Sequence, residues 1–293
     1  MADTRLWDGA AADNAFDTAT NWSDDTAPIA GDTAIMPDGN IVVVDGSDEN
    51  AYTLAAFTVS PGYSGTIGSR TAGVITNLQI AATTVNLAGS GVTYLNLTAC
   101  TTCNVTGAAA GTPDSGTYGL TLSGATVATL NIDLTSNQSV GVAALAGQTG
   151  TVTNAYIGGN GTVVLGAGLT LSTAVSITGS GTTYIDCAVP ALTVTGSATV
   201  YIRSGAQTTL VIQGGVVYLN STATIATASV FSGGSLICTQ GPESRTITNT
   251  NLYGDATLDD SAKKTTFTNP IKIYGSTTNV RLGTNLTLAR STI

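Results

Sequence analysis

Histidine is absent from all 293 residues. Its absence excludes the Ser-His-Asp and Cys-His nucleophile systems and removes the commonest zinc ligand. Charge is scarce as well, at 9% of residues. Between residues 51 and 242 the acids are Asp114, Asp133 and Asp186 alone. No apolar run approaches the roughly 18 residues of a membrane helix. Residues 1–10, MADTRLWDGA, lack the apolar core of a secretory signal, so release into a cytoplasm is expected. Cysteine is limited to Cys100, Cys103, Cys187 and Cys238, whose spacing is not a disulfide framework. Cys100-Thr101-Thr102-Cys103 is a lone C-x-x-C with no second pair to complete a zinc site. The expectation is buried free thiols.

What charge there is lies unevenly. Residues 1–50 hold eleven acids against the single cation Arg5, a net of −10. The cations gather late, at Arg245, Lys263, Lys264, Lys272, Arg281 and Arg290. A chain with pI near 4.1 lacks the basic track of a nucleic-acid binder. Low charge with 42% hydrophobic residues, many of them β-branched, describes a chain that folds.

The positive signal is an internal repeat. Gly179–Cys187 reads GSGTTYIDC, Gly89–Leu97 reads GSGVTYLNL, and Gly159–Leu165 reads GNGTVVL. The pair Tyr184-Ile185 recurs as Tyr201-Ile202, Tyr218-Leu219 and Ser235-Leu236, each 17 further along the chain. A second column is read at Val194, Val211 and Ala228, with Gly196, Gly214 and Gly233 as the turns before the Tyr strands. Alternation at period two means strands with one buried face, and no sustained 3.6 period supports a long helix. The period is too short for a propeller blade and lacks a leucine-rich consensus. It fits one coil of a single-stranded parallel β-helix, right-handed by the general crossover preference. Coils stacking at about 4.8 Å give roughly ten to thirteen rungs and a rod on the order of 50–60 Å. On this count Asp133 and Asp186 stand about three coils apart, on the order of 14 Å, too far for a glycosidase pair. No enzymatic activity and no cofactor are therefore expected. Arg203, the lone cation in mid-rod, is read as a solvated outward side chain.

The expected organisation is an acidic cap or docking segment over residues 1–50, a β-helix rod over 51–240, and closing coils or a cap over 241–293. The opening resembles phage-encoded and bacterial-surface parallel β-helix proteins. Trp7-Asp8-Gly9, Asn21-Trp22-Ser23, Pro28 and Gly31-Asp32-Thr33-Ala34-Ile35 carry the resemblance, followed by Phe57–Gly68, FTVSPGYSGTIG. It extends from the start of the chain to the end of that stretch. Bacterial-surface relatives carry a secretion signal or membrane anchor not seen here. The resemblance therefore implies a tailed-phage virion protein, assembled in host cytoplasm. Of such proteins the chain is most like a capsid decoration (cement) protein that binds the major capsid protein and stabilises the mature head, with no nucleic-acid or membrane contact. The alternative is a tail fibre or tailspike adhesin gripping surface polysaccharide. A third reading, a bacterial surface protein, needs an export route.

Two residue sets are candidates for these contacts. Trp7, Trp22, Asp24 and Asp25 sit in the non-repeating acidic segment and are read as capsid-binding residues, with the tryptophans alternatively plugging the end of the helix. Tyr184, Tyr201 and Tyr218, with Tyr94, share one slot next to an inward aliphatic and are expected to face outward. An uncharged Tyr/Thr row suits a subunit interface, expected as a homotrimer of parallel rods. Asp45-Gly46-Ser47-Asp48-Glu49 is the best calcium candidate, but it lacks the full loop spacing and reads as a turn, so no metal is expected.

Overall fold

Short alternating segments with glycine at the corners can bury one face only by stacking on copies of themselves. In the computed structural model the chain does so, as a parallel β-solenoid of about eleven turns. The structure describes residues 2–11, 13–43, 48–107, 118–241, 244–275 and 278–283, with the backbone alone over 48–51. Helix among these is confined to one 3-10 turn, Ala19–Asn21. Two compact units result: Met1–Ala155 with Gly161–Thr170, and Tyr156–Asn160 with Leu171–Ile293.

In the first unit, strands Thr4–Leu6, Thr33–Met36, Asp48–Val59, Leu78–Leu87, Thr102–Val105 and Thr126–Leu134 pair in parallel, one above the next. Register puts like over like. Ala34, Phe57, Val85, Cys103 and Leu130 form one buried column; Met36, Val59, Leu87, Val105 and Ile132 form the next. A second face stacks Leu78, Leu95, Leu120, Val142 and Leu165. The acidic opening segment thus supplies strands to the stack. One hairpin departs from the pattern, Ser69–Thr71 against Val74–Thr76, the antiparallel pair among the described strands. Its turn residues Ala72 and Gly73 both have positive φ (50° and 86°), as a two-residue hairpin turn requires.

In the second unit, Leu192, Leu210 and Ala228 stack inward, as do Val194, Ile212, Val230 and Leu252. The second face stacks Tyr184, Tyr201 and Tyr218 outward and Ile185, Ile202 and Leu219 inward, at the spacing expected from the repeat. The expected next copy is out of register: Ser235 lies beside Val216 and Leu236 beside Val217, so Tyr218 meets Ile237. The other expected column is corrected. Val194 lies beside Ile212, one position beyond that spacing, while Val211 turns outward beside Thr193 and Ser229. The cause is corner length. Residues 203–206 make a four-residue corner where 186–188 make three, and 213–215 make three where 195–198 make four. A fixed period cannot track corners that trade a residue.

The corners explain the glycines. A Cβ on Gly91 would stand 1.9 Å from the Gly65 carbonyl oxygen, and one on Gly179 would stand 2.0 Å from that of Gly159. Successive corners pack backbone on backbone at these points, so no side chain fits.

Candidate interaction surfaces

The outward tyrosines of the second unit form a continuous stack. Ring centroids of Tyr184 and Tyr201 are 5.0 Å apart, those of Tyr201 and Tyr218 4.9 Å, and both ring pairs lie 11° from parallel. In-register strands impose this spacing, because rungs repeat at the distance at which aromatic rings stack. The rings are half-buried. Burial, and then its two neighbours Tyr218 and Tyr184, push the Tyr201 phenol above its ordinary pKa. Thr182 and Thr199 flank the rings on one side, Asp186 and Arg203 on the other.

Arg203 is not the freely solvated side chain expected. Its Nε donates to Asp186 Oδ1 at 2.8 Å, its Nη2 donates to Oδ2, and its guanidinium carbon sits 4.8 Å from the Tyr184 ring centroid. The pair joins neighbouring rungs and leaves the face with little net charge. Tyr94 does not belong to this stripe. It lies just before its strand, 6% exposed, with its N–H donating to the Ile67 carbonyl and the backbone at Gly68 packed against it.

A second stack was not legible beforehand. Phe231, Tyr253 and Tyr274 follow one another at 4.5 and 4.8 Å, within 9° of parallel. Their separations in sequence are longer than those of the tyrosine column, so a search at its period passes over them. The signal available was an aromatic placed directly after an aliphatic, inward at Val230 and Leu252 and exposed at Ile273. Elsewhere in this unit, Gly159, Asn160, Thr178, Gly179, Ser180, Gly196 and Ser197 line a shallow groove of about 430 Å³ without a charged group. Tyr156, shortly before Gly159, is exposed.

In the first unit the tryptophans lie inside. Trp7 and Trp22 are 0% exposed and meet edge to face at 5.2 Å. Phe16 packs on Trp22 at 5.0 Å and leads on to Phe57 at 6.2 Å, so the cluster continues into the stacked core. Trp22 Nε1 donates to the Phe16 carbonyl at 2.8 Å. Buried Asn21 organises the loop. Its Oδ1 accepts from Ala11 N, and its Nδ2 donates to Asp13 Oδ1 and the Ala15 carbonyl. A partner would therefore meet the carboxylates around this cluster, not the indoles. Asp25 and Asp24 are both exposed. Asp24 accepts from Arg5, which also reaches Asp3 and buried Asp32. Desolvation pushes the Asp32 pKa up, but the N–H groups of Asp3 and Ile29 and the Arg5 guanidinium outweigh it and hold the carboxyl below its ordinary value.

All four cysteines are buried thiols. Burial pushes Cys187 up to about 12, with the charge of Asp186 adding to it, and burial likewise pushes Cys238 up to about 12. Such thiols are inert at neutral pH. In the Cys100–Cys103 pair, the mutual hydrogen bond and then burial raise Cys103. Among the described residues, no three His, Cys, Asp or Glu side chains converge as metal ligands. The calcium candidate lies outside the described side chains, as does Asp114. Asp133 is exposed, and Asp186 is engaged by Arg203. No described helix is long and apolar enough to cross a membrane.

No protein-family model, curated protein or solved structure matches this chain.

Proposed function

We propose that this protein is a structural, non-enzymatic component of a tailed-phage virion: a homo-oligomeric decoration protein that binds the major capsid protein and stabilises the mature head. Assembly takes place in host cytoplasm, and the protein ends on the capsid surface. The observation that carries the reading is the outward stack of Tyr184, Tyr201 and Tyr218. Each ring turns its faces to its neighbours, so the stack offers edges and hydroxyls. Edges packed among threonines, with one neutralised ion pair, suit protein–protein packing in a homotrimer. The carboxylates around the Trp7–Trp22 cluster, with Asp24 and Asp25 among them, are the capsid-contacting surface. The mechanism is mass action: binding only the mature lattice stabilises that lattice.

A second reading, a tail adhesin for surface polysaccharide, is favoured by the uncharged corner groove and exposed Tyr156. Cryo-electron microscopy of particles carrying the protein separates the two. Density on the head lattice is expected; density on the tail, or absence from virions, overturns the decoration reading.

A further inference from the structure

The two chain extremities carry opposite fields. Residues 1–50 hold a net of −10, while residues 261–293 hold Lys263, Lys264, Lys272, Arg281 and Arg290 and no acid at all. In the first unit, Asp3, Asp8, Asp13, Asp17, Asp24, Asp25 and Asp38 are exposed. The cation among them, Arg5, is already held by Asp3, Asp24 and Asp32. Exposed Leu6 (42%) and Ile29 (57%) lie in the same segment. In the second unit, Lys263, Lys272 and Arg281 are exposed on and beside the last described strands. Ile273 (41%) and Tyr274 (40%) are exposed between them. The opening segment therefore combines negative charge with uncovered apolar side chains; the closing strands combine an excess of cations with theirs, with Asp255 exposed nearby and Asp259 beside Arg281.

We propose that these surfaces recognise each other between copies: the basic closing strands of one molecule dock on the acidic opening segment of a second. Opposite fields steer the encounter and fix its direction, and the exposed aliphatic and aromatic side chains supply the buried area. The contact is heterologous, so each copy keeps one surface of each sign for a further partner. It does not rest on the virion reading, and it differs from the tyrosine face, whose contact is nearly uncharged.

The test is sedimentation velocity on the full chain in about 25 mM and about 0.5 M NaCl, which strongly changes screening. Association at low salt, weakened about tenfold or more at high salt, is expected. Two double variants, each altering one surface, decide direction. Lys263→Glu with Lys272→Glu takes residues 261–293 from a net of +5 to +1; Asp8→Lys with Asp17→Lys takes residues 1–50 from −10 to −6. Each variant alone should weaken the salt-sensitive association, with circular dichroism verifying the fold. An equimolar mixture should recover it, as the unaltered opening segment of the first variant meets the unaltered closing strands of the second. A wild-type chain that shows no association at low salt overturns the proposal. So does association that is undiminished in both variants or ignores salt, which would assign it to the tyrosine face.

Discussion

The two units build their outward faces on the same rung and reach different surfaces. In the first, Thr58, Asn86, Asn104 and Asn131 occupy one column. Asn131 donates to Asn104 and Asn104 to Asn86, both at 2.8 Å, and Asn86 to Thr58 at 3.3 Å. In the second, an outward slot holds Tyr184, Tyr201 and Tyr218. Both columns are held along the stack by directional contacts that repeat with the rungs. The amide column uses its polar groups on itself and stays a wetted wall. The tyrosine column uses its ring faces on itself and leaves edges outward. Repetition thus makes a surface property out of a single slot, and the residue in that slot decides whether the face stays wet or can pack.

The largest effect should come where the two units agree, at the corners. Gly91→Ala and Gly179→Ala each press a methyl onto a carbonyl oxygen, 1.9 Å away in the first case and 2.0 Å in the second. Each should destabilise by about 3 kcal/mol, measured by urea unfolding. Gly73→Ala is the control: nothing lies within 4 Å, and only the positive φ opposes it, at about 1 kcal/mol. Equal losses at Gly73 and Gly91 would show that conformation, not backbone contact, sets the corners.

Next is the acidic segment, which has no counterpart in the tyrosine face. The folded pKa of Asp32 is lowered, so its contribution to stability is fully present above the unfolded value, near 3.9. It is lost as pH falls through the folded value. Asp32→Asn should destabilise at pH 7 by about 2 kcal/mol, because the buried partners lose their charge-assisted acceptor. Thermal melts of the two proteins should converge below about pH 4. A constant gap down to pH 2 would mean that the carboxylate charge contributes nothing.

The middle of each column then separates the faces. Asn104→Ala leaves Asn86 and Asn131 without their partner and should cost about 1.5 kcal/mol, with no change in oligomeric state. Tyr201→Ala breaks two ring contacts, worth about 1 kcal/mol each, and should also weaken lateral assembly, measured by light scattering. Loss of assembly in the Asn104 variant instead would reverse the assignment of the two faces.

How much of this could be read from the chain depended on whether spacing was constant. The tyrosine column was legible as far as Tyr218 because its two corners compensate up to that point; beyond it the coil lengthens and Tyr218 meets Ile237, not Ser235. The column through Val194 was not, since its neighbour Ile212 falls one position beyond that spacing. Phe231, Tyr253 and Tyr274 escaped for the same reason, across longer coils. Tyr94 matched the repeat in text and failed in place: it is buried, with the backbone at Ile67 and Gly68 against it. Inward residues were the easiest to place, since an aliphatic next to a tyrosine has only one dry side to choose. Pairings between rungs, such as Arg203 with Asp186, depend on side-chain reach and have no one-dimensional signature beyond their separation.

The smallest effect concerns that ion pair, and its size follows from comparison with the first unit. Asp32 is shielded completely and answers to several N–H donors, whereas the side chains of Arg203 and Asp186 remain 26% and 18% exposed. Water competes for both partners, so Coulomb attraction is diluted and side-chain ordering offsets much of the gain. Asp186→Asn should therefore change stability by about 0.5 kcal/mol, shrinking further in salt. The guanidinium over Tyr184 need not be lost with the carboxylate, because the ring attracts it independently. A double-mutant cycle pairing Asp186→Asn with Arg203→Gln isolates the coupling, and the value should stay below about 1 kcal/mol. A coupling of about 3 kcal/mol would place the pair in a dry environment, comparable to Asp32, and would mean the tyrosine face is already covered in solution.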